Sequence, residues 1–291
     1  MTNSHAKIPA LVNKASGTAD AARKALVDND AFELHEVAPE KLDSALRDLV
    51  AEGVPRLLIA GGDGTIAAAA AALLGTRIQL AILPGGTLNH FATDLHIPKE
   101  PAEALALAVV GTPRPADVGI VNERVFLNTS SVGAYVHFVR VREYLEPWFG
   151  YRIASFIAAL RSLFQLRQVA VEFEVDGRRH MYETPMVFIG SGERELKLPL
   201  LGKRVPNGKR GLHVMILQGR SRARLMVLAL NAVARGVKTA AGTPELDSFM
   251  VDHCTITLRR AGRIAVDGEL VSVGKSLDYH LKRDAIQVVC P

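Results

Sequence analysis

Two cysteines, one tryptophan and an aromatic content of 5% over 291 residues are the scarce components of this chain. Cys254 and Cys290 are too few for a disulfide framework or a thiolate metal cluster, which points to a reduced, cytoplasmic protein. The low aromatic content withholds the stacking surface that single strands of nucleic acid need, and Lys and Arg never run longer than two in a row. No nucleic acid partner is expected. No segment supplies the roughly 18 apolar residues that span a bilayer. The opening MTNSHAKIPALVNK also lacks the apolar core of a signal peptide. Membrane contact is therefore expected to be peripheral, at the inner face.

Hydrophobic residues make up 48% of the chain, without low-complexity tracts, and its length suffices for two domains with an ample core. The formal charge of +5 favours anionic partners, acidic membrane surfaces among them. From Ile8 to about Ala116 apolar runs alternate with helical patterns. Strands are predicted over Ile8 to Val12, Phe32 to Val37, Arg56 to Ala60 and Ile78 to Leu83. Helices are predicted over Ala19 to Val27, Lys41 to Ala51, Thr65 to Leu74 and Pro98 to Val110. This is the βαβ rhythm of a parallel sheet, a Rossmann-like α/β nucleotide domain over residues 1–116.

Two breaks in that rhythm carry chemistry. Leu57 to Ala67 reads LLIAGGDGTIA, a strand running through a glycine turn into a polyalanine helix, and Ile82 to Ala92 reads ILPGGTLNHFA. Gly61, Gly62, Gly64 and Gly86 remove Cβ atoms where backbone must approach a ligand, and the N–H groups opening the helix at Thr65 face any anion placed there. Thr87 and Asn89 add side-chain hydrogen-bonding groups for a nucleotide. Asp63 supplies charge and lone pairs for a magnesium-bound water or a hydroxyl, and alone it would read as a helix N-cap. In a parallel sheet these turns lie beyond the strands' carboxyl ends, where the first strand's exit, Asn13 to Gly17 with Ser16, also lies. Phosphate-binding loops on neighbouring strands point to a kinase using ATP and Mg²⁺, with Asp63 as metal ligand.

From 117 to 277 the texture turns to strand, with short apolar runs over Val118 to Thr129 and Val169 to Gly190. Val171 to Val175 alternates strictly before Asp176-Gly177, a hairpin signal, and an antiparallel β-sandwich-like domain is expected. One helix interrupts it: Ile153, Phe156, Ile157, Leu160, Leu163 and Phe164 recur at helical spacing among Arg152, Arg161 and Arg167. Such a basic amphipathic helix suits a membrane surface. The ordinary expectation is that its apolar stripe packs on the core, and the same holds for Arg220 to Lys238. Asp267-Gly268-Glu269 follows the strand Arg263 to Val266 and sets two acids about a glycine, as a solvated hairpin turn would. No P-loop exists, because Gly274-Lys275-Ser276 has Glu269 where the leading glycine belongs, and the nine histidines form no HExxH pair. Asn128, in LNTSSVG, could reach a cleft or satisfy a turn.

Taken in order, Leu11 to Gly17, GGDGT at 61–65, PGGTLNHFA at 84–92, Leu127 to Gly133 and Val266 to Glu269 resemble the diacylglycerol kinase catalytic-domain family, which includes bacterial lipid kinases and sphingosine kinases. GGDGT alone is also similar to NAD kinases. The resemblance implies a nucleotide domain, a β-rich substrate domain, and a return of about 278–291 to the first domain. It also implies that Asp267 and Glu269 accept the proton or contact nucleotide and metal, and that the acceptor is a lipid at a membrane surface. A homodimer is an admissible assembly. The sequence departs from the family pattern at Lys14, at Ala67 and Ala68, at His90, at Val37 to Pro39, and at Arg210, which stands where the resemblance would place a metal-binding aspartate. The function expected is an ATP-dependent lipid kinase acting on diacylglycerol or a related lipid. The alternatives are an NAD kinase-like or other soluble-hydroxyl kinase, or a nucleotide-binding regulator without catalysis.

Overall fold

The computed structural model describes residues 7–164, 168–175, 177–196, 201–218 and 246–291. The chain divides into two compact units, one formed by the residues up to Val118 together with Lys282–Pro291 and the other by Gly119–Leu281.

In the first unit the elements run β1 (Ile8–Asn13), α1 (Ala19–Val27), β2 (Phe32–Val37), α2 (Leu42–Glu52), β3 (Arg56–Gly61), α3 (Asp63–Ala72), β4 (Gln79–Pro84), α4 (His90–Asp94), α5 (Pro101–Val110) and the start of β5 (Thr112–Val121). Strands β2, β1, β3 and β4 lie side by side and parallel, and Gln287 and Val288 pair in parallel with Gln79 and Leu80. Helices on both faces make continuous apolar strands necessary: Leu57 to Ala60 and Leu80 to Leu83 are all buried. Each such Leu or Ile contributes roughly 1.5–3 kcal/mol on leaving water. Ala10, Val12, Leu58, Ala60, Ala81 and Leu83 meet Ala22, Leu26, Ala104, Leu105 and Ala108 of the covering helices. In α3, Ala69 and Ala70 are buried and the helix packs on β3, β4 and α2, the close approach that small side chains allow.

The second unit continues from β5 into β6 (Arg124–Phe126), β7 (Thr129–Gly133), α6 (Ala134–Phe164), β8 (Val169–Val175), β9 (Arg178–Thr184), β10 (Met186–Ser191), β11 (Arg194–Leu196), β12 (Leu201–Arg204), β13 (Leu212–Leu217), β14 (Leu246–Val251), β15 (His253–Leu258), β16 (Gly262–Val266), β17 (Glu269–Val273) and β18 (Ser276–Cys290). One layer has the order β14-β13-β10-β7-β16-β17, antiparallel throughout. In the other, β15 pairs antiparallel with β8 and with the first residues of β18, and β8 with β9. Val132, Val187, Ile189, Val214, Ile216, Ile264 and Val266 of the first layer close on Phe173, Cys254, Ile256, Leu277 and Tyr279 of the second. The fold is thus α/β, with a mixed N-terminal sheet and antiparallel C-terminal strands.

The hairpin expected near 176–177 forms, with Val175 opposite Arg178. Two expectations shift. α3 begins at Asp63 rather than Thr65, which places the acid in the helix's first turn. The helix predicted from Ile153 begins at Ala134 and breaks at Gly150 (φ 70°), three residues after Pro147. Three residues of its apolar stripe do not pack on the core: Ile153, Phe156 and Leu160 are exposed and Ile157 is half-buried, while Ala154, Ala158 and Ser162 are buried. Arg167 and the stretch Arg220 to Lys238 lie outside the described residues. Among the described residues no helix is long and apolar enough to cross a membrane.

Candidate active site

β3 ends at Gly61 and α3 begins at Asp63, so Gly62 alone makes the turn between them. The second glycine loop, Gly85 to Leu88, leads from β4 to Asn89 at the start of α4. The two loops touch backbone to backbone. Gly85 N–H donates to the Gly61 carbonyl at 2.8 Å, and a Cβ on Gly86 would stand 2.7 Å from the Gly62 Cα. A Cβ on Gly61 would meet Thr65 at 2.7 Å, and one on Gly85 would meet the Thr18 hydroxyl at 2.5 Å. No side chain caps the start of α3, and Gly64 in its first turn is exposed. The opening N–H groups of that helix, which have no acceptor within it, and the helix dipole together form an anion-favouring end.

The Asp63 carboxylate caps a helix, but the neighbouring one: Oδ2 and Oδ1 accept the His90 and Phe91 N–H groups at 3.2 Å each, at the start of α4. Asn13 donates from Nδ2 to Thr65 Oγ1 at 3.0 Å, and its Oδ1 accepts the Ala15 N–H at 3.0 Å. Ser16 and Thr18 hydroxyls both donate to the Gly85 carbonyl, at 3.0 and 2.8 Å. The exits of β1, β3 and β4 are thereby laced together, and Asn13, Ser16, Gly61, Gly62, Asp63, Thr65, Gly86 and Asn89 belong to one cluster. Asn89, left-handed at φ 50°, is committed to its own loop, accepting Gly86 N–H at 2.8 Å and donating to Gly86 C=O at 2.7 Å. Thr87 and Gly17 are exposed, and a Cβ on Gly17 would meet nothing. Thr18 was not among the residues the sequence singled out. Its one signal was its place two residues after Ser16.

The second cluster lies within the C-terminal unit, on the β16–β17 turn. Asp267, left-handed at φ 46°, accepts three backbone N–H groups: Leu127 at 2.8 Å, Asn128 at 2.9 Å and Thr129 at 2.8 Å. Those donors complement a carboxylate's charge. Glu269 is largely exposed and accepts from Arg124 Nη2 at 2.8 Å. Arg124 was unpredicted, because it comes together with Glu269 only through the fold. Asn128 is buried, and its side-chain Oδ1 has no hydrogen-bond partner among the described residues.

The carbonyl side of the 127–129 segment is also held. Arg194, buried, donates to the Leu127 carbonyl at 3.3 Å and to the Ser191 carbonyl at 2.8 Å, and Arg204 donates to Ser191 O at 2.9 Å. His213 Nδ1 accepts the Arg194 backbone N–H at 2.9 Å and its Nε2 faces Ser248 Oγ at 2.7 Å. Burial pushes this imidazole below its ordinary value, with Glu193 opposing. Arg210 is exposed. Among the described residues no three His, Cys, Asp or Glu side chains converge as a metal-holding group.

Residues 7–121 match the diacylglycerol kinase catalytic domain. A protein of Pseudomonas putida described as a probable lipid kinase, YegS-like, is 34% identical over 151 residues, 50% of this chain and 50% of that relative. A diacylglycerol kinase of Bacillus subtilis is 36% identical over 126 residues, 42% of this chain and 41% of its own length. The matches thus span about half the length of these relatives or less. A crystal structure of a diacylglycerol kinase from Bacillus anthracis aligns over 98% of this chain and 97% of its own, with a TM-score of 0.72 and 20% identity, a likeness of fold.

Proposed function

We propose, from the match of residues 7–121 to the diacylglycerol kinase catalytic domain, that this chain is an ATP-dependent lipid kinase. It would transfer the γ-phosphate to a hydroxyl of diacylglycerol or a related lipid, with the N-terminal unit as a Rossmann-like nucleotide domain. The observation that carries this reading is the contact between Gly62 and Gly86 beside the start of α3, where a Cβ on Gly86 would stand 2.7 Å from the Gly62 Cα and 3.6 Å from the Asp63 backbone nitrogen.

The residues present fit a nucleotide's phosphates, since added Cβ atoms at Gly61, Gly62, Gly85 or Gly86 would crowd the cradle. Magnesium fits as an ion brought with the nucleotide. Asp63 is the one carboxylate on these loops, and each of its oxygens accepts one 3.2 Å bond and keeps a lone pair. When bound, the magnesium nucleotide supplies the phosphoryl group and neutralises its charge. The chain's own residues then position and accept. Asn13, Ser16 and Thr18 fix the loops against one another. Glu269, whose carboxylate is exposed and held by Arg124, takes the proton of the acceptor hydroxyl. Asp267, which accepts three backbone N–H groups, holds the turn that carries Glu269.

Incubation with γ-labelled ATP and, separately, a total lipid extract, NAD and soluble polyols tests the acceptor. Label is expected in the organic phase. Label only in NAD or a polyol would replace the lipid reading.

A further inference from the structure

α6 is built inside out. Over its second half Ala154, Ala158 and Ser162 recur every four residues and are buried, so the side it packs inward is the small one. On the opposite side Ile153, Phe156 and Leu160 stand exposed at spacings of three and four, Phe156 at 71%. At the Gly150 break the chain displays Trp148, 79% exposed, with Phe149 beside it and Tyr144 one turn earlier. Folding would ordinarily bury such side chains, and a contiguous apolar patch on a helix marks an interaction surface.

The occupant is indicated by composition. The segment Ala134–Phe164 carries four arginines against two glutamates, in a chain of net charge +5, and Arg140 and Arg161 are exposed. Apolar side chains with Tyr and Trp at their edge and arginines alongside suit the boundary between headgroups and acyl chains. An anionic surface adds attraction that salt screens.

We propose that the outward face of α6, from Tyr144 through Trp148 and Phe149 to Leu160, inserts into an anionic lipid bilayer. The inference deepens the lipid-kinase reading and rests on it for its purpose, since a water-insoluble acceptor has to be met at an interface.

Trp148 is the chain's single tryptophan, so its fluorescence reports on this face alone. Titration with phosphatidylcholine–phosphatidylglycerol vesicles is expected to shift its emission to the blue, more than neutral vesicles do and less at high salt. Lipids brominated on their acyl chains should quench it. Replacing Phe156→Ser together with Leu160→Ser, which keeps the reporter, should weaken vesicle partitioning by on the order of 10²-fold while the melting temperature stays near that of the parent. Co-sedimentation with vesicles but an unmoved Trp148 spectrum would overturn the proposal, as would absence of binding at low salt. So would a blue shift that follows protein concentration without vesicles and accompanies a dimer mass, which would make the face a self-association surface. Transfer to a water-soluble short-chain diacylglycerol, measured on the same preparation, separates the two readings. Transfer there without vesicle insertion sinks the docking face alone, whereas insertion with no transfer to any lipid supports the face and sinks the kinase reading.

Discussion

Asp267 and Glu269 sit two residues apart on one turn and face different partners: the Asp267 carboxylate accepts three backbone N–H groups of Leu127 to Thr129, while Glu269 accepts from the Arg124 side chain at 2.8 Å. Their replacements should therefore fail in different ways. Asp267→Asn trades charge-assisted bonds for weaker ones and presents an NH₂ group to N–H donors, a loss of about 1–3 kcal/mol. Glu269→Gln breaks a surface ion pair worth about 1 kcal/mol or less, yet should lower turnover by about 10² to 10⁴ as a lost general base. Denaturant unfolding and steady-state rates on the two variants check this. Equal loss of stability in both, or near-native turnover in Glu269→Gln, would count against the division.

Glycine positions should divide just as sharply. Gly86→Ala puts a Cβ 2.7 Å from the Gly62 Cα, backbone that cannot swing aside, so the loops must part. A loss on the order of 1–3 kcal/mol is expected. Gly17→Ala meets nothing within 4 Å and should be neutral or stabilising by about 0.4–1 kcal/mol through the unfolded chain. Thermal unfolding without ligand measures both.

The neutral imidazole of His213 is fixed as a tautomer, Nδ1 accepting from Arg194 and Nε2 left to donate to Ser248. Burial lowers its folded pKa, so below the ordinary value near 6.5 the unfolded chain binds more protons and stability decreases as the pH is lowered. The contribution is whole above that value and is lost as pH drops toward the folded pKa. Urea unfolding of the parent and of His213→Gln between about pH 5 and 8 should show a shallower pH slope in the variant.

Cys254 is buried between the layers and its thiol is pushed up to about 12 by burial, with Asp278 adding to the shift. The thiolate is the reactive form, so labelling by an alkylating reagent at pH 8 should be slow in native protein and rise sharply in denaturant. Fast native labelling at Cys254, located by mass spectrometry, would contradict the core assignment.

Much of the N-terminal unit was legible because strands buried on both faces are continuous apolar runs and glycine turns punctuate them. Ala19–Val27 and Phe32–Val37 fall where the pattern put them. The first half of α6 was not legible. Val136, Val139 and Val141 favour strands, and Pro147 with Gly150 reads as an end. Periodicity located the Ile153 to Leu160 stripe but could not say which way it faces, since that depends on Ala154 and Ala158 being the side that fits the core. The same limit applies to Asp63 and Asp267. A carboxylate beside glycine reads as chemistry or as a cap, and only the fold brings up His90, Phe91 and Leu127 to Thr129 as its donors.

Calorimetric titration with ATP and magnesium tests most directly the proposal that the meeting of Gly62 and Gly86 cradles a nucleotide's phosphates. The parent should bind with one site per chain. A folded Gly62→Val variant, whose Cβ would begin 3.2 Å from the Gly86 Cα, should bind too weakly to detect. Equal affinity in both would contradict the cradle.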